Sequence, residues 1–573
     1  MKNFSEATNF IWSIAELLRG DYKQSEYGKV VLPMTIIRRL DCVLTDTKQK
    51  VMEQLPKVQA MNVQNIDPIL NNIAGYNFHN HSKYDFDSLI ADPENIAANF
   101  RNYINGFSDS ARDILDNFKF EEQINRLDDA NLLFMVVKRF QEIDLHPKRI
   151  DNTHMGYIYE ELIRRFSELS NETAGEHFTP REVIRLMVNI LFLNDRDILT
   201  KKVIVKTLYD VCAGTGGMLS VAEEYLNELN PDARLEVFGQ ELNAEYYAIC
   251  KSDMLIKGQK PDNIKLGNSL SNDMLSGQKY DYMLTNPPFG VEWKKVQKAV
   301  KDEYEQFGFG GRFGAGLPRI SDGSLLFLLH LISKMKQNGA VGSRIGIVLN
   351  GSPLFTGGAG SGESNIRKWI IENDMLEAII ALPDQLFYNT GIYTYLWLVS
   401  KRKDPERKGK GQLINAVSMF ENMSKSLGNK RHYITPHQIE EITRIYGEFE
   451  EGKYCKIFDN EDFGYTRITV ERPSIENGKV VKDRQGNPKP DTSLRDSEDV
   501  PLKEDIEEYF KREVLPHVPN AWIDESKHKI GYEINFTRYF YEYKPLRSLE
   551  EIRADILNLE EETSGAIKQI LDE

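Results

Sequence analysis

Over the first 150 or so residues, apolar positions recur every three to four residues. Phe10, Ile11, Ile14, Leu17 and Leu18 fall near one helical face, and Val31, Met34, Ile37, Leu40 and Val43 continue the spacing. Strand-like alternation is scarce there, so residues 1–150 are expected to form an all-helical domain. From about residue 200 the texture changes. Apolar runs at 201–213, 235–242, 263–270, 280–288, 344–351 and 375–383 read as strands, and the stretches 217–229, 243–258, 324–336 and 363–374 read as helices. Strands alternating with helices predict an α/β fold, a parallel sheet covered on both faces. Two further runs, 392–401 and 411–418, flank the basic loop 401–410 and read as a hairpin adding one antiparallel strand.

Three segments fall outside this alternation. Residues 291–323 are long and Gly-rich in their second half, and they follow directly on a Pro-Pro turn. Such loops are functional or disordered, and a mobile flap over a site is expected. Residues 471–500 are polar, with turn signals at Asn477-Gly478 and Gly486-Asn487-Pro488, and read as a linker or surface hairpin. In 501–573, Ser548 to Glu551 form a capping box that opens a helix. Apolar or small residues follow at 549, 552, 556, 559, 563, 566 and 570, a heptad stripe that either a partner helix or the chain's own domain could cover.

Composition narrows the reading. A chain of 573 residues suggests roughly three or four domains. The net charge of −15 works against phosphate backbones at long range, so action on nucleic acid would call for basic surface from another chain. Cys42, Cys212, Cys250 and Cys455 are scattered, with no CxxC pair, which suggests neither zinc nor disulfides but reduced thiols in the cytoplasm. No secretory signal and no membrane-length apolar run is present.

The chemistry concentrates in three places. "DVCAGTGGM", from Asp210 to Met218, joins a strand to a helix, where glycines permit close approach of a ligand to free N–H groups. Glu241 ends the next strand, a position from which a carboxylate accepts both hydroxyls of a ribose. Together these suggest a nucleoside-bearing cofactor. "TNPPFG" then follows a strand. An exocyclic amino group is a poor nucleophile because its lone pair is delocalised into the ring. The Asn286 side-chain oxygen and the Pro287 carbonyl could accept its two N–H bonds and expose that lone pair, with Phe289 stacking on the base. Such a pocket is reached only by a base turned out of the duplex. Upstream, "AGEHFTPREV" reads as a loop and helix, with Thr179 as N-cap and Pro180 in the first helical position.

These motifs, in this order, resemble S-adenosylmethionine-dependent amino-methyltransferases acting on DNA. More specifically, together with "LLRGDYKQSEYGKVVLPMTIIRRL", "DGSLLFLLHLISKMK" and "INFTRYFYEY", they resemble the modification (M) subunits of type I restriction-modification systems. The resemblance spans about residues 5–545. It implies a Rossmann-like seven-stranded methyltransferase sheet in residues 151–470, behind the helical domain 1–150 and ahead of the linker 471–500 and a helical region 501–573 for subunit docking. It implies an adenine-specific DNA methyltransferase that modifies N6 of a flipped adenine. Asn286, Pro287, Pro288 and Phe289 would hold the target base. Asp210, Gly214, Thr215, Gly216 and Gly217 would wrap the methionine part of the cofactor, Glu241 the ribose, and Glu176, His177, Phe178, Thr179, Pro180 and Arg181 would close the pocket. Asn268 stands where many relatives carry Asp, and its amide oxygen would accept the cofactor's adenine amino group. The implied partners are duplex DNA, a specificity subunit clasped by two M chains, and a restriction subunit. Two other readings stand beside this one: methylation of a protein glutamine amide, and a non-catalytic assembly subunit.

Overall fold

The computed structural model describes residues 9–170, 179–195, 199–201, 204–257, 259–336, 342–388, 390–476, 479–541 and 548–559. Two compact units result, Met1–Ile534 and Asn535–Glu573. In the first unit the N-terminal helices share one core. Helix Gly28–Leu44 is buried on nearly every face. Its buried Arg39 is tolerated because the guanidinium donates to the carbonyls of Leu145 and Ile150. Helix Asn152–Ser170 closes the same core with Met155, Ile158, Leu162 and Phe166.

The parallel sheet forms where the apolar runs predict it. Its strands are β1 (Val205–Asp210), β2 (Arg234–Glu241), β3 (Ile264–Leu266), β4 (Tyr282–Thr285), β5 (Arg344–Asn350), β6 (Leu376–Leu382), β7 (Thr394–Ser400) and β8 (Lys410–Asn415). A small hairpin follows, β9 (Glu421–Leu427) and β10 (Lys430–Tyr433), and then β11 (Cys455–Asp459). The spatial order is β11-β8-β6-β7-β5-β4-β1-β2-β3. Strands β3, β2, β1, β4 and β5 are parallel, and β7 runs antiparallel between β5 and β6. β6 is buried along its whole length, as expected for a strand covered on both faces.

Two expectations need correction here. The seven strands from β3 to β6 are present, but β8 and β11 extend the sheet to nine. Strands β7 and β8 are not a hairpin either. β8 lies on the far side of β6 and runs parallel to it. The loop between them is not a tight turn: its Lys403 pairs with Asp374 at 2.5 Å, and its Arg407 donates to Gln412 at 2.9 Å.

The C-terminal helical stretch begins later than residue 501. Strand β12 (Gly464–Glu471) pairs with β15 (Asp496–Pro501), β16 (Trp522–Ile523) and β17 (Lys529–Tyr532) over a small core of Ile468, Val470, Val500, Phe510 and Val514. The polar stretch contains the short hairpin β13 (Ile475–Glu476) and β14 (Lys479–Val480), although its Asn477-Gly478 turn lies outside the described residues. In the second unit, Ser548 and Glu551 make the reciprocal capping bonds, at 2.9 and 3.2 Å, that open the helix ending the described chain at residue 559. Stripe positions 563, 566 and 570 lie outside the described residues. Among those described, no helix is long and apolar enough to cross a membrane.

The sheet's hidden ion pair is a point of sensitivity. Arg344 of β5 reaches Glu377 of β6 at 2.7 Å, and the Tyr446 hydroxyl donates to the same carboxylate at 2.6 Å, all three buried. Glu377→Ala leaves Arg344 buried without its counter-charge. Stability should fall by about 3–5 kcal/mol, read as a shift of the urea midpoint. An unshifted midpoint would show that the pair contributes nothing.

Candidate active site

The cleft opens at the C-terminal ends of the parallel strands, where open α/β sheets bind ligands. β1 ends at Asp210, and the next residues turn into helix Gly217–Leu229. Gly214 and Gly216 take positive φ, 53° and 86°, a region that penalises side chains. A Cβ at Gly216 would also lie 2.9 Å from Cys250 Sγ. Gly216 therefore serves the backbone and its packing against helix Ala244–Ile256. Glu241, at the end of β2, is buried and holds the turn: one oxygen accepts from Gly214 N at 2.8 Å, the other from Asn243 N at 2.7 Å. Beside it, Asp210 accepts from Cys212 N at 3.0 Å. Burial, with a smaller push from the Glu241 charge, raises the Asp210 carboxyl to about 7.

After β4 comes the Asn-Pro-Pro-Phe turn. Asn286 Nδ2 donates to Thr179 Oγ1 at 3.0 Å, while Asn286 Oδ1 is buried with no partner. This bond revises the reading of Thr179. The residue at the N-cap of helix Arg181–Leu193 is Pro180, without a side-chain cap bond, and the Thr179 hydroxyl fixes the Asn286 amide instead. Arg181 is held by Glu224 at 2.8 Å and lies over the Tyr157 ring at 4.3 Å. Phe289 packs edge-to-face with Phe387 at 5.8 Å. Asn268 Oδ1 already accepts from Leu270 N at 3.0 Å and Ser271 N at 3.3 Å. Those bonds fill its two lone pairs, so this oxygen holds its own turn and is not free for a ligand's amino group.

A single cavity of about 170 Å³ joins these parts: Thr179, Arg181, Asp210, Gly214, Thr215, Gly217, Glu241, Asn268, Asn286 and Pro288 all line it. Pro180, Gly216, Pro287 and Phe289 are not among its lining residues, and Glu176, His177 and Phe178 lie outside the described residues. One wall was not read from the sequence. Gly156, Tyr159 and Ile163 of helix Asn152–Ser170 line the cavity, with Phe327 of helix Ser324–Ser333. The available signal was Gly156, a small residue in a helical run. A Cβ there would meet Asp253 at 3.6 Å, an ordinary contact, so packing alone does not require glycine. Buried carboxylates beside a glycine turn and an unpaired amide oxygen suit a ligand carrying positive charge, sugar hydroxyls and an amino group.

Residues 291–323 are a folded element and not a mobile flap. Helix Gln297–Phe307 follows a short 3₁₀ turn. Arg312 then clasps Glu303 at 2.6 Å, the carbonyls of Ser269 and Leu270 at 2.7 and 2.8 Å, and His330 Nδ1 at 3.0 Å. His330 is kept neutral by burial, its pKa well below the usual value. The glycines here serve close packing: a Cβ on Gly314 would lie 2.4 Å from the Gly308 backbone.

The sheet and its cleft define a methyltransferase. The N-6 DNA Methylase family matches over residues 150–470, and the HsdM N-terminal domain over residues 7–140. The chain belongs to the N-6 DNA methylase family: it is an adenine-specific DNA methyltransferase whose methyl donor is S-adenosylmethionine. It takes its place among the methylase subunits of type I restriction-modification systems. The MjaIX methylase subunit of Methanocaldococcus jannaschii is 25% identical over 497 residues, 83% of each chain. The HindI methylase subunit of Haemophilus influenzae is 27% identical over 265 residues, 46% of this chain and 54% of that one. The crystal structure of a type I restriction-modification methyltransferase subunit from Streptococcus thermophilus shares the fold, with a TM-score of 0.62 at 23% identity over 80% of this chain and 97% of that one.

Gly216→Ala tests the glycine turn. The backbone alone should cost about 1–2 kcal/mol, and the contact with Cys250 should add to it. In a Cys250→Ala background the same substitution should cost less, because the contact is relieved and the φ penalty remains. Equal costs in both backgrounds would show that close approach to Cys250 is not what selects glycine.

Proposed function

We propose that Asn286 and Pro287 hold the N6 amino group of an adenine turned out of DNA, at the mouth of a cavity whose other walls hold S-adenosylmethionine. The observation that carries this is the buried, unpaired Asn286 Oδ1, aimed by the bond from its own Nδ2 to Thr179. A buried acceptor left without a donor costs about 1–3 kcal/mol, and an amino group supplies that donor. Asn286 Oδ1 and the Pro287 carbonyl accept the two N–H bonds and turn the nitrogen lone pair toward the cavity. Phe289, backed by Phe387, stacks on the base. S-adenosylmethionine supplies an electrophilic methyl group. The turn from Gly214 to Gly217 and Asp210 receive its charged methionine end, and Glu241 its ribose. Thr179 and Arg181 close the pocket beside them. Asn268 shapes the adenine end by fixing its turn.

The same reading assigns the partners. The chain works with a specificity subunit that selects the DNA site, two copies to one specificity subunit, and with a restriction subunit in the full complex. The C-terminal helix supports a docking role: Leu549, Ile552 and Ile556 on its apolar stripe are exposed. Deleting residues 549–573 should abolish co-purification with the specificity subunit, and unchanged assembly would remove the helix from the interface.

Two measurements test the site. Methyl label should reach adenine N6 of unmethylated duplex DNA only when the specificity subunit is present. In that complex Asn286→Ala should lower kcat by about a hundredfold or more, by analogy with loss of one preorganised hydrogen bond in a polar site, while S-adenosylmethionine binding stays nearly unchanged. A fully active Asn286→Ala complex would remove Asn286 from catalysis. The second is pH dependence. Asp210 in the free protein titrates near 7, and a cationic ligand beside it favours the ionised form, so binding releases a proton. Affinity should be flat above pH 7 and weaken up to about tenfold per unit as pH falls below it. Asp210→Asn should flatten the profile, and a wild-type profile already flat between pH 5.5 and 8 (about 2.5 units, enough for a large change) would separate Asp210 from the ligand's charge.

A further inference from the structure

We propose that the basic face of the helix following the target-base turn grips the DNA backbone beside the flipped adenine. This rests on the functional reading above. Between Val291 and Lys301 the chain carries four lysines and one glutamate, although its net charge is −15. The structure sorts them by face. Trp293 and Val300 are buried, and the one glutamate, Glu292, is exposed just ahead of the first helical turn; Glu303, beyond this stretch, is tied to Arg312. Lys294, Lys295, Lys298 and Lys301 are all exposed. Among the described residues, none of the four has a carboxylate partner within salt-bridge distance.

A solvated helix face usually gains from oppositely charged pairs three and four residues apart. Here Lys294–Lys298, Lys295–Lys298 and Lys298–Lys301 are like-charge pairs at those spacings, each costing a few tenths of a kcal/mol. Asp302 and Glu305 stand four residues beyond Lys298 and Lys301 and offset part of that cost, whereas Lys294 and Lys295, in the first turn, have no acid three or four residues further on; a polyanion supplies the missing counter-charge.

Placement agrees with charge. Lys294 lies eight residues beyond Asn286, so the chain permits at most about 28 Å between them, less than one turn of duplex DNA at about 34 Å. The helix is fixed to the body. Trp293 N donates to Ile320 O at 3.1 Å, the Trp293 indole donates to Arg319 O at 2.9 Å, and Gly323 N donates to Val291 O at 3.0 Å. The chain's other basic run, 401–410, follows β7 and so lies beside the start of β5, at the opposite end of the sheet from the base-binding turn. Its Lys403 and Arg407 are engaged inside the protein.

The test is the salt dependence of duplex DNA binding by the complex with the specificity subunit. The variant is Lys294→Gln, Lys295→Gln, Lys298→Gln and Lys301→Gln together. Each phosphate contact contributes about 0.9 to the slope of log K against log salt. The variant's slope should therefore be shallower by about 2–4, and its affinity at low salt about tenfold or more weaker. S-adenosylmethionine binding, thermal midpoint and the methylation rate at saturating DNA should be unchanged. The control removes exposed charge elsewhere, by Lys479→Gln, Lys482→Gln and Lys489→Gln together, and should leave the slope at the wild-type value. An unchanged slope in the first variant, with methylation intact, overturns this proposal alone. So does an equal loss in the control, which would make the effect one of net charge. A wild-type complex that neither binds nor methylates DNA overturns the functional reading, and this proposal with it.

Discussion

The bond from Gly214 N to a buried Glu241 oxygen, 2.8 Å long, joins the end of β1 to the end of β2, and the cleft is built around it. It shapes the glycine turn from a strand that is distant in sequence, and it leaves one carboxylate buried beside another. Burial penalises the Asp210 carboxylate, and the neighbouring Glu241 charge adds a smaller conflict, which is why the Asp210 carboxyl is raised to about 7 in the free protein. A ligand with positive charge relieves that conflict, whereas a neutral one leaves it in place. The electrostatics of the cleft thus select for charge before any contact with the reacting methyl group is considered.

The helical N-terminal region is part of this machinery and not an appendage to it. Helix Ala244–Ile256 lies between two cores. Ala248, Ile249 and Leu255 belong to the N-terminal one, and Tyr247, Cys250 and Met254 to the one around the sheet. Lys251 and the Tyr247 hydroxyl then meet Asp113 at 2.6 and 3.0 Å. Because the helix is apolar on opposite sides, it has no solvent face of the usual width. The cavity is consequently walled by Gly156, Tyr159 and Ile163 from a helix whose other contacts hold the N-terminal core together.

Much of this was legible in the sequence because it follows from local rules. Near-continuous apolar runs identified the buried strands, and the Gly-rich turn, Glu241 and the Asn-Pro-Pro-Phe turn came together at one cavity as their positions at strand ends required. What was not legible depends on long-range pairing. Nothing local tells β8 to pass β7 and pair with β6. The Gly-rich segment after residue 307 reads as mobile because glycine is permissive, yet here its glycines allow backbone to touch backbone, and Arg312 fixes the segment through partners 9 to 43 residues away. Thr179 reads equally well as a cap until Asn286, 107 residues later, takes its hydroxyl. The side-chain oxygen of Asn268 was read as a ligand contact because the methyltransferases the chain resembles carry Asp at that position. Two backbone N–H groups had the nearer claim.

Charge shows the same gap between the whole and the part. A net charge of −15 describes the chain at distances beyond the Debye length, about 8 Å at physiological salt. It bears on encounter with DNA and on the need for a partner that supplies basic surface. Within that length the local arrangement governs. Four exposed lysines on the 3₁₀ turn and helix after the Asn-Pro-Pro-Phe turn concentrate positive charge locally although the chain is acidic. An acidic enzyme subunit and a local grip on the phosphate backbone are therefore compatible. The first disfavours attraction to DNA at long range, and the second calls only for contact at short range.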